Sequence, residues 1–167
     1  MITQTCCFTG HRPKKLPFKS NETDERCVRL KEILRDEIEK MITEKGVKKF
    51  ISGMAIGTDM ICAEIILELK EKYDITLECA IPCRNQSEKW NKKQKERYNA
   101  LLSKADVITY LQDEYTRGCM QRRNKYMADK SQYVIAVWNG SKSGTANTIK
   151  YAEKLKRNII IIDPNNL

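Results

Sequence analysis

Residues 49–59 read KFISGMAIGTD and combine a strand-like run, two glycines and the start of a helical pattern. A short apolar run ends at Ser52, and a turn that contains Gly53 and Gly57 follows it. From Asp59 a helical pattern continues to Lys72. A strand, a glycine turn and a helix in this order form the start of a βαβ unit, in which the helix leads the chain back to a parallel neighbouring strand.

The same alternation extends in both directions along the chain. Six strand candidates, several of them nearly continuous apolar runs, are residues 5–9, 49–52, 75–81, 106–111, 133–138 and 158–163. Five helix candidates lie between them, at residues 24–45, 59–72, 87–103, 119–130 and 145–156. Continuous apolar strands are typical of a sheet that is covered on both faces. The sequence therefore predicts one α/β domain over residues 1–167, with a three-layer, Rossmann-like, doubly wound and mainly parallel sheet that has helices on both faces.

The composition excludes several classes of protein. The 167 residues suffice for one sizeable core. No apolar run approaches the roughly 20 residues that span a bilayer, and residues 1–5 carry no signal-peptide pattern, so we expect a cytoplasmic protein with no membrane partner. The seven cysteines include no CxxC pair, and His11 is the only histidine. We therefore expect reduced, mostly buried thiols and no metal site.

The positive charge is concentrated in the second half of the chain. Residues 1–83 carry 14 basic and 14 acidic side chains, whereas residues 84–167 carry 17 basic and 8 acidic ones, which accounts for the whole net charge of +9. A basic surface attracts phosphate-rich partners, either nucleotides or nucleic acid. The alternative is a lysine-rich surface that only keeps the protein in solution.

We expect a ligand to contact the loops that follow the strands. Parallel strands bring their carboxyl ends to one edge of the sheet, and ligands bind at that edge. The first such loop reads FTGHRP at residues 8–13. Gly10 permits close approach of the backbone, and Arg12 offers a planar fork for a phosphate. His11 is a candidate general acid or base, or a plain hydrogen-bond partner of a ligand. The alternative is a tight turn with solvated basic residues.

The loop after the second strand is the strongest local signal. Its glycines let the backbone fold around a ligand, and Thr58 is positioned to cap the following helix, whose first amides favour a phosphate. The candidate ligand residues in this loop are Gly53, Met54, Ala55, Gly57, Thr58 and Asp59. The alternative is a structural turn in which Asp59 only complements the helix dipole.

A second candidate phosphate cradle lies in residues 138–148, WNGSKSGTANT, between a strand and a helix. Its candidate ligand residues are Ser143, Gly144, Thr145 and Asn147. The basic segment 117–130 also follows a strand, and from it we add Arg122 and Asn124 as ligand candidates. Most other side chains of this segment and of the basic segment 84–97 are expected to form the solvated faces of helices.

Taken together, FTGHRP at 8–13, SGMAIGTD at 52–59 and GTANT at 144–148 resemble the YpsA-like family of bacterial proteins. That family belongs to the superfamily that unites the DNA-processing protein DprA (Smf) with the LOG phosphoribohydrolases. The resemblance covers nearly the whole chain, and it implies a Rossmann-like fold that senses or processes nucleotides or nucleotide-derived ligands. Two departures limit it. Thr148 stands where LOG enzymes have the glutamate of GGxGTxxE, and Glu64 stands where DprA usually has a histidine.

Three functions remain open from the sequence. The leading one is binding of a nucleotide or ADP-ribose-like ligand by a wall of glycines and basic residues, with no certain cofactor. The second is a nucleotide-processing hydrolase with His11, Asp59 or Glu64 as acid or base, which the missing LOG glutamate weakens. The third is single-stranded nucleic-acid binding like that of DprA. Analogy with the superfamily also makes a homodimer a candidate assembly.

Overall fold

The computed structural model describes residues 1–167, and its six strands form one sheet in the order β4-β3-β2-β1-β5-β6. Every neighbouring pair of strands is parallel. The strands are β1 (Thr5–Gly10), β2 (Lys49–Ser52), β3 (Thr76–Ile81), β4 (Val107–Tyr110), β5 (Tyr133–Val137) and β6 (Asn158–Ile162). The predicted α/β fold with a doubly wound, Rossmann-like sheet is confirmed, and the sheet is entirely parallel.

Helices cover both faces of this sheet. They are α1 (Glu25–Lys45), α2 (Thr58–Leu69), α3 (Lys92–Lys104), α4 (Cys119–Lys130) and α5 (Gly144–Lys154). Helix α2 packs against α1 and α3, and α4 packs against α5. The buried apolar side chains of the first three helices belong to a cluster of 28 residues, and α4 and α5 contribute to a separate cluster of 7. The two clusters form the two apolar layers that hold the sheet between helices. No helix is both long and apolar enough to cross a bilayer.

Local signals at the helix ends explain the boundaries. Asp24 caps α1 by accepting a hydrogen bond from the Arg26 amide at 2.8 Å, and Gly46 ends the helix in the left-handed conformation. Helix α3 begins five residues later than the predicted 87, because Asn91 and Gln94 form a reciprocal capping box that sets the first helical residue at Lys92.

The seven cysteines are all buried and free, as the sequence predicts. Cys6 and Cys7 lie on opposite faces of β1, in the larger and the smaller apolar cluster respectively. Phe8 of β1 stacks on Phe50 of β2 with ring centroids 6.0 Å apart. These side chains pack as ordinary apolar groups in the core.

The order of the strands reverses at β1. From β1 the chain adds β2, β3 and β4 on one side, and then returns to add β5 and β6 on the other. Gly10, the last residue of β1, pairs with Val137, the last residue of β5. The loops that leave these two neighbouring strands run to opposite faces of the sheet, which opens a crevice between them.

Candidate functional site

A cavity of about 540 Å³ lies at this crevice. Its walls come from the loop after β1, the turn after β2, the loop before α4 and the first turns of α4 and α5. Nine residues predicted from the sequence line it: Gly10, His11, Arg12, Ala55, Asp59, Asn124, Ser143, Gly144 and Thr145. The structure therefore brings residues from four separate segments of the chain to one site.

Close packing of β1 against α2 fixes the first wall. A Cβ added to Gly10 would lie 2.6 Å from the Cβ and Oγ1 of Thr58, so only glycine fits there. Thr58 is the first residue of α2, and its hydroxyl donates to the His11 carbonyl at 2.9 Å. The expected capping role of Thr58 is wrong, since Gly57 occupies the cap position and the hydroxyl ties α2 to the β1 loop instead.

His11 joins the two loops that border the crevice. Its Nε2 lies 2.9 Å from Asn139 Oδ1 and 3.1 Å from the Asn139 amide nitrogen. Asn139 Oδ1 also accepts a hydrogen bond from the Ser141 amide at 3.0 Å, which orders the loop after β5. Burial lowers the pKa of the His11 imidazole, which favours the neutral ring at pH 7. His11 therefore connects the two loops through hydrogen bonds, and it also lines the cavity.

The turn after β2 is packed into the protein. A Cβ on Gly53 would lie 2.6 Å from the Arg123 guanidinium carbon, and one on Gly57 would lie 2.9 Å from the His11 carbonyl oxygen. The Met54 amide donates to Ser52 Oγ at 3.2 Å. Met54 itself is fully buried with a φ of 59°, a left-handed conformation that a side chain disfavours. Gly53, Met54, Gly57 and Thr58 thus lie behind the cavity wall and do not line it.

Asp59 is the acidic group of the cavity. It is buried, and its Oδ2 accepts one hydrogen bond, from the Ala55 amide at 3.2 Å. Burial raises the pKa of this carboxyl and outweighs the opposite effects of the Arg123 charge and the Ala55 hydrogen bond. A carboxyl in this position can accept a hydrogen bond from a ligand hydroxyl or, when protonated, donate one.

The first turn of α5 is the open wall. Ser143 caps this helix by accepting from the Ala146 amide at 3.1 Å. The amides of Gly144 and Thr145 donate to no protein group. A Cβ on Gly144 would meet nothing within 4 Å. Free amides at a helix N-terminus, next to open space, form a ready site for an anion.

Arg123 of α4 also lines the cavity, whereas the sequence analysis had selected its neighbour Arg122. Only 3% of Arg123 is exposed, and its guanidinium donates to the Gly53 carbonyl at 2.5 Å and to Asn124 Oδ1 at 2.9 Å. None of the ion pairs in the protein includes it. Burial lowers the pKa of this guanidinium and outweighs the opposite effect of the Asp59 charge, which lies beyond ion-pair distance. A helical stripe of Cys119, Arg123 and Met127 is the signal that would have found it, since positions four apart share one face.

Three other predicted residues lie elsewhere. Glu64 points away from the cavity and forms an ion pair with Arg97 on α3. Arg122 is exposed and donates to Gln112 at 3.2 Å, and Asn147 is exposed on α5. None of the three lines the cavity.

Basic side chains surround the mouth of the cavity. Arg12, Lys14 and Lys15 line it and are exposed. Lys15 Nζ donates to the Lys142 carbonyl at 2.8 Å, which joins the two basic loops across the crevice. The mouth is therefore positively charged, while Asp59 and Arg123 supply one buried charge of each sign.

Comparison with known proteins identifies relatives over most of the chain. The family model YpsA, described as the YspA SLOG family, matches residues 6–167. The uncharacterized SPbeta prophage-derived protein YoqJ of Bacillus subtilis is 36% identical over 140 residues, which cover 76% of this chain and 82% of that protein. A UPF0398 protein of Macrococcus caseolyticus is 26% identical over 168 residues, covering 96% of this chain and 90% of that protein.

Two solved structures share the fold. DNA processing protein A of Streptococcus pneumoniae has a TM-score of 0.66 at 14% identity, with 95% of this chain and 50% of that one covered. The same protein of Helicobacter pylori has a TM-score of 0.61 at 17% identity, with 97% of this chain and 66% of that one covered. The chain thus spans half the length of the Streptococcus pneumoniae protein. Because the family model covers residues 6–167, the chain belongs to the YspA SLOG family.

Proposed function

We propose that this protein binds a nucleotide, or a nucleotide-derived molecule with a phosphate group, in the cavity between β1 and β5. The observation that carries the proposal is the buried guanidinium of Arg123, which faces the cavity and has no carboxylate within ion-pair distance. A bound anion would form the direct, charge-assisted pair with this guanidinium that Asp59, beyond ion-pair distance, does not form.

Three further features support an anionic ligand of nucleotide size. The free amides of Gly144 and Thr145 offer hydrogen bonds and the positive end of a helix dipole. The basic mouth attracts negative charge from solution. The cavity volume of about 540 Å³ lies within the range of roughly 300–1,000 Å³ that is usual for small-molecule sites.

Thr148 supports binding over hydrolysis. It stands at the position of the LOG glutamate, and its hydroxyl donates to the Gly144 carbonyl at 2.9 Å within α5. This group supplies no carboxylate to the cavity. Asp59 is the one acidic residue that lines the cavity, and its single hydrogen bond leaves it available to a ribose hydroxyl.

The test is calorimetry of the full chain against nucleoside mono- and diphosphates, dinucleotides and ADP-ribose, with an Arg123→Met variant beside the wild type. Methionine keeps much of the side-chain length and removes the charge. We expect affinity for any bound member to fall at least tenfold. The free energy of unfolding should change by less than about 2 kcal/mol, because relief of the buried charge offsets the lost hydrogen bond to Gly53.

The matched control is Arg122→Met, which removes the same charge from the neighbouring, exposed position. This variant should bind like the wild type. Equal affinities of the wild type and Arg123→Met for every member of the panel, or no saturable binding by the wild type, would contradict the proposal.

A second candidate is binding of single-stranded nucleic acid across the same mouth. The similar fold from Helicobacter pylori is described with a unique single-stranded DNA binding mode. In this chain the exposed Arg12, Lys14 and Lys15 give a path for a phosphate backbone. The dependence of affinity on salt separates the two ligands, since a strand that contacts several phosphates loses affinity steeply with salt and a mononucleotide does so weakly.

A further inference from the structure

The wall that α4 and the preceding loop contribute to the cavity carries no positive charge except the buried Arg123. Its side chains are the phenol of Tyr115, the thioether of Met120 and the amides of Gln121 and Asn124. This wall therefore differs in chemistry from the basic mouth and from the open turn of α5.

The two amide side chains have hydrogen-bonding groups that the protein does not use. Gln121 forms no side-chain hydrogen bond within the protein, and it is partly buried in the cavity wall. Asn124 accepts a hydrogen bond from Arg123 Nε through its Oδ1, at 2.9 Å. That contact fixes the orientation of the Asn124 amide and leaves the Nδ2 group as a free donor.

The same wall offers apolar surface to a flat group. Tyr115 is 60% exposed, and its amide donates a 3.1 Å hydrogen bond to Asn85 Oδ1, which holds the main chain at this position. The Met120 side chain lies in the same wall, where its sulfur meets the Arg123 guanidinium at 3.8 Å. Aromatic rings and thioethers both make favourable contacts with planar ring systems.

We propose that this wall, formed by Tyr115, Met120, Gln121 and Asn124, is a nucleobase subsite that reads the edge of the base. The inference rests on the proposed function, and it adds that the ligand is a nucleoside phosphate whose base is recognised by hydrogen bonds. Tyr115 and Met120 contact the faces of the base. Gln121 and the Asn124 Nδ2 group bond to its edge, while the phosphate is held elsewhere in the cavity.

Ribose 5-phosphate and the four common nucleoside monophosphates separate this subsite from the phosphate site. Ribose 5-phosphate carries the sugar and phosphate alone, so it reports on the phosphate site without the base. In the wild type we expect at least one monophosphate to bind tenfold or more tightly than ribose 5-phosphate. If no compound binds, both the proposed function and this subsite fail. If ribose 5-phosphate binds as tightly as every monophosphate, only the subsite fails.

Gln121→Met is the cleanest variant, because Gln121 makes no protein hydrogen bond that the change would break. Affinity for the preferred monophosphate should fall about tenfold, and that for ribose 5-phosphate should stay within twofold. Tyr115→Ala should act in the same way, and Tyr115→Phe should retain affinity because the ring remains. An equal loss for monophosphate and ribose 5-phosphate would indicate a merely structural role and overturn the subsite.

Asn124→Asp tests the edge contact directly. The carboxylate still accepts from Arg123 Nε, but it presents an acceptor to the cavity where Nδ2 was a donor. Uracil offers a carbonyl oxygen where cytosine offers an amine, so the ratio of the uridine to the cytidine monophosphate dissociation constant should rise about tenfold. Asn99→Asp, with the same charge change on the exposed face of α3, should leave this ratio unchanged. An unchanged ratio in Asn124→Asp would overturn the edge contact.

Discussion

The turn after β2 and the turn after β5 both connect a strand to a helix N-terminus, and both reach the same edge of the sheet. They differ in what surrounds their glycines. A Cβ on Gly53 or Gly57 would lie within 3 Å of Arg123 or His11, whereas a Cβ on Gly144 would meet nothing within 4 Å. The first turn is part of the packed framework, and the second is open to a ligand.

The contrast shows that glycines have two different uses in one site. In the turn after β2, glycine allows other groups of the protein to come close, and the amides of Met54 and Ala55 bond to Ser52 and Asp59. In the turn after β5, the amides of Gly144 and Thr145 stay free. A glycine-containing turn at this edge of the sheet can therefore be packed into the framework or left with free amides, and the neighbouring groups determine which.

Among the substitutions considered in the two turns, Gly57→Ala should lower the free energy of unfolding the most. Gly57 has a φ of 102°, and an added Cβ would lie 2.9 Å from the His11 carbonyl oxygen. Strain and steric overlap together should lower the free energy of unfolding by at least about 3 kcal/mol, measured by urea titration. The control is Gly46→Ala, also at positive φ but with nothing within 4 Å, where a loss of about 1–2 kcal/mol is expected. Equal losses in the two variants would show that the turn after β2 is not tightly packed.

Asp59→Asn tests the burial of the turn after β2 through the pH dependence of the protein's stability. Because burial raises the folded-state pKa of Asp59, the unfolded chain loses this proton first as the pH rises above the ordinary value of 3.8. The wild type therefore loses stability as the pH rises from 3.8 to the raised pKa of the folded state. The variant keeps its stability over this range, because asparagine does not ionise. Thermal melts should show a higher Tm for Asp59→Asn at pH 7, with the difference disappearing below the ordinary pKa. A lower Tm at pH 7 would indicate that the charged carboxylate stabilises the turn.

Ser143→Ala removes the cap of the open turn. The hydroxyl accepts from the Ala146 amide, and a lost cap of this kind lowers the free energy of unfolding by about 1 kcal/mol. Ser103→Ala, at an exposed position within α3, is the matched control and should change stability by less than about 0.5 kcal/mol. Chemical denaturation of both variants gives the comparison, and an unaffected Ser143→Ala would mean that α5 begins without help from its cap.

Gly144→Ala has the smallest expected effect and the opposite sign. The residue is helical and has open space around its Cβ position, so alanine should raise the free energy of unfolding by about 0.4–1 kcal/mol through a less flexible unfolded chain. Denaturant titration measures the change. A loss of stability would mean that Gly144 is as constrained as Gly57, and the contrast between the two turns would disappear.

The sequence predicted the framework well because its signals are local. Apolar runs and helical periodicity located all six strands and five helices, and the observed α1 begins one residue after its predicted start and ends at the predicted residue. The doubly wound prediction also indicated the carboxyl edge of the sheet, where the cavity lies, but it did not place the reversal of strand order at β1. The late start of α3 was missed because it depends on the reciprocal contact between Asn91 and Gln94.

The site was harder to predict because it depends on which side chains face inward. Arg122 and Arg123 are indistinguishable as residue types, yet one is exposed and the other is buried in the cavity wall. The space for the Arg123 guanidinium exists only because Gly53, 70 residues away in sequence, has no Cβ. Likewise, the contact between His11 and Asn139 joins two loops that are too far apart in the sequence for any local pattern to relate them. The spacing of Cys119, Arg123 and Met127 marks the inward face of α4, but the contacts with Gly53 and Asn139 leave no local pattern.

The contact of His11 with Asn139 spans 128 positions of the chain, and this separation bears on how the protein is made. At about 5–20 residues per second, a ribosome takes on the order of ten seconds to extend the chain from one of these residues to the other. The cavity therefore cannot exist on a nascent chain until nearly the last strand has been synthesised. A ligand that binds there stabilises only the finished fold, so ligand supply would influence how much completed protein escapes degradation.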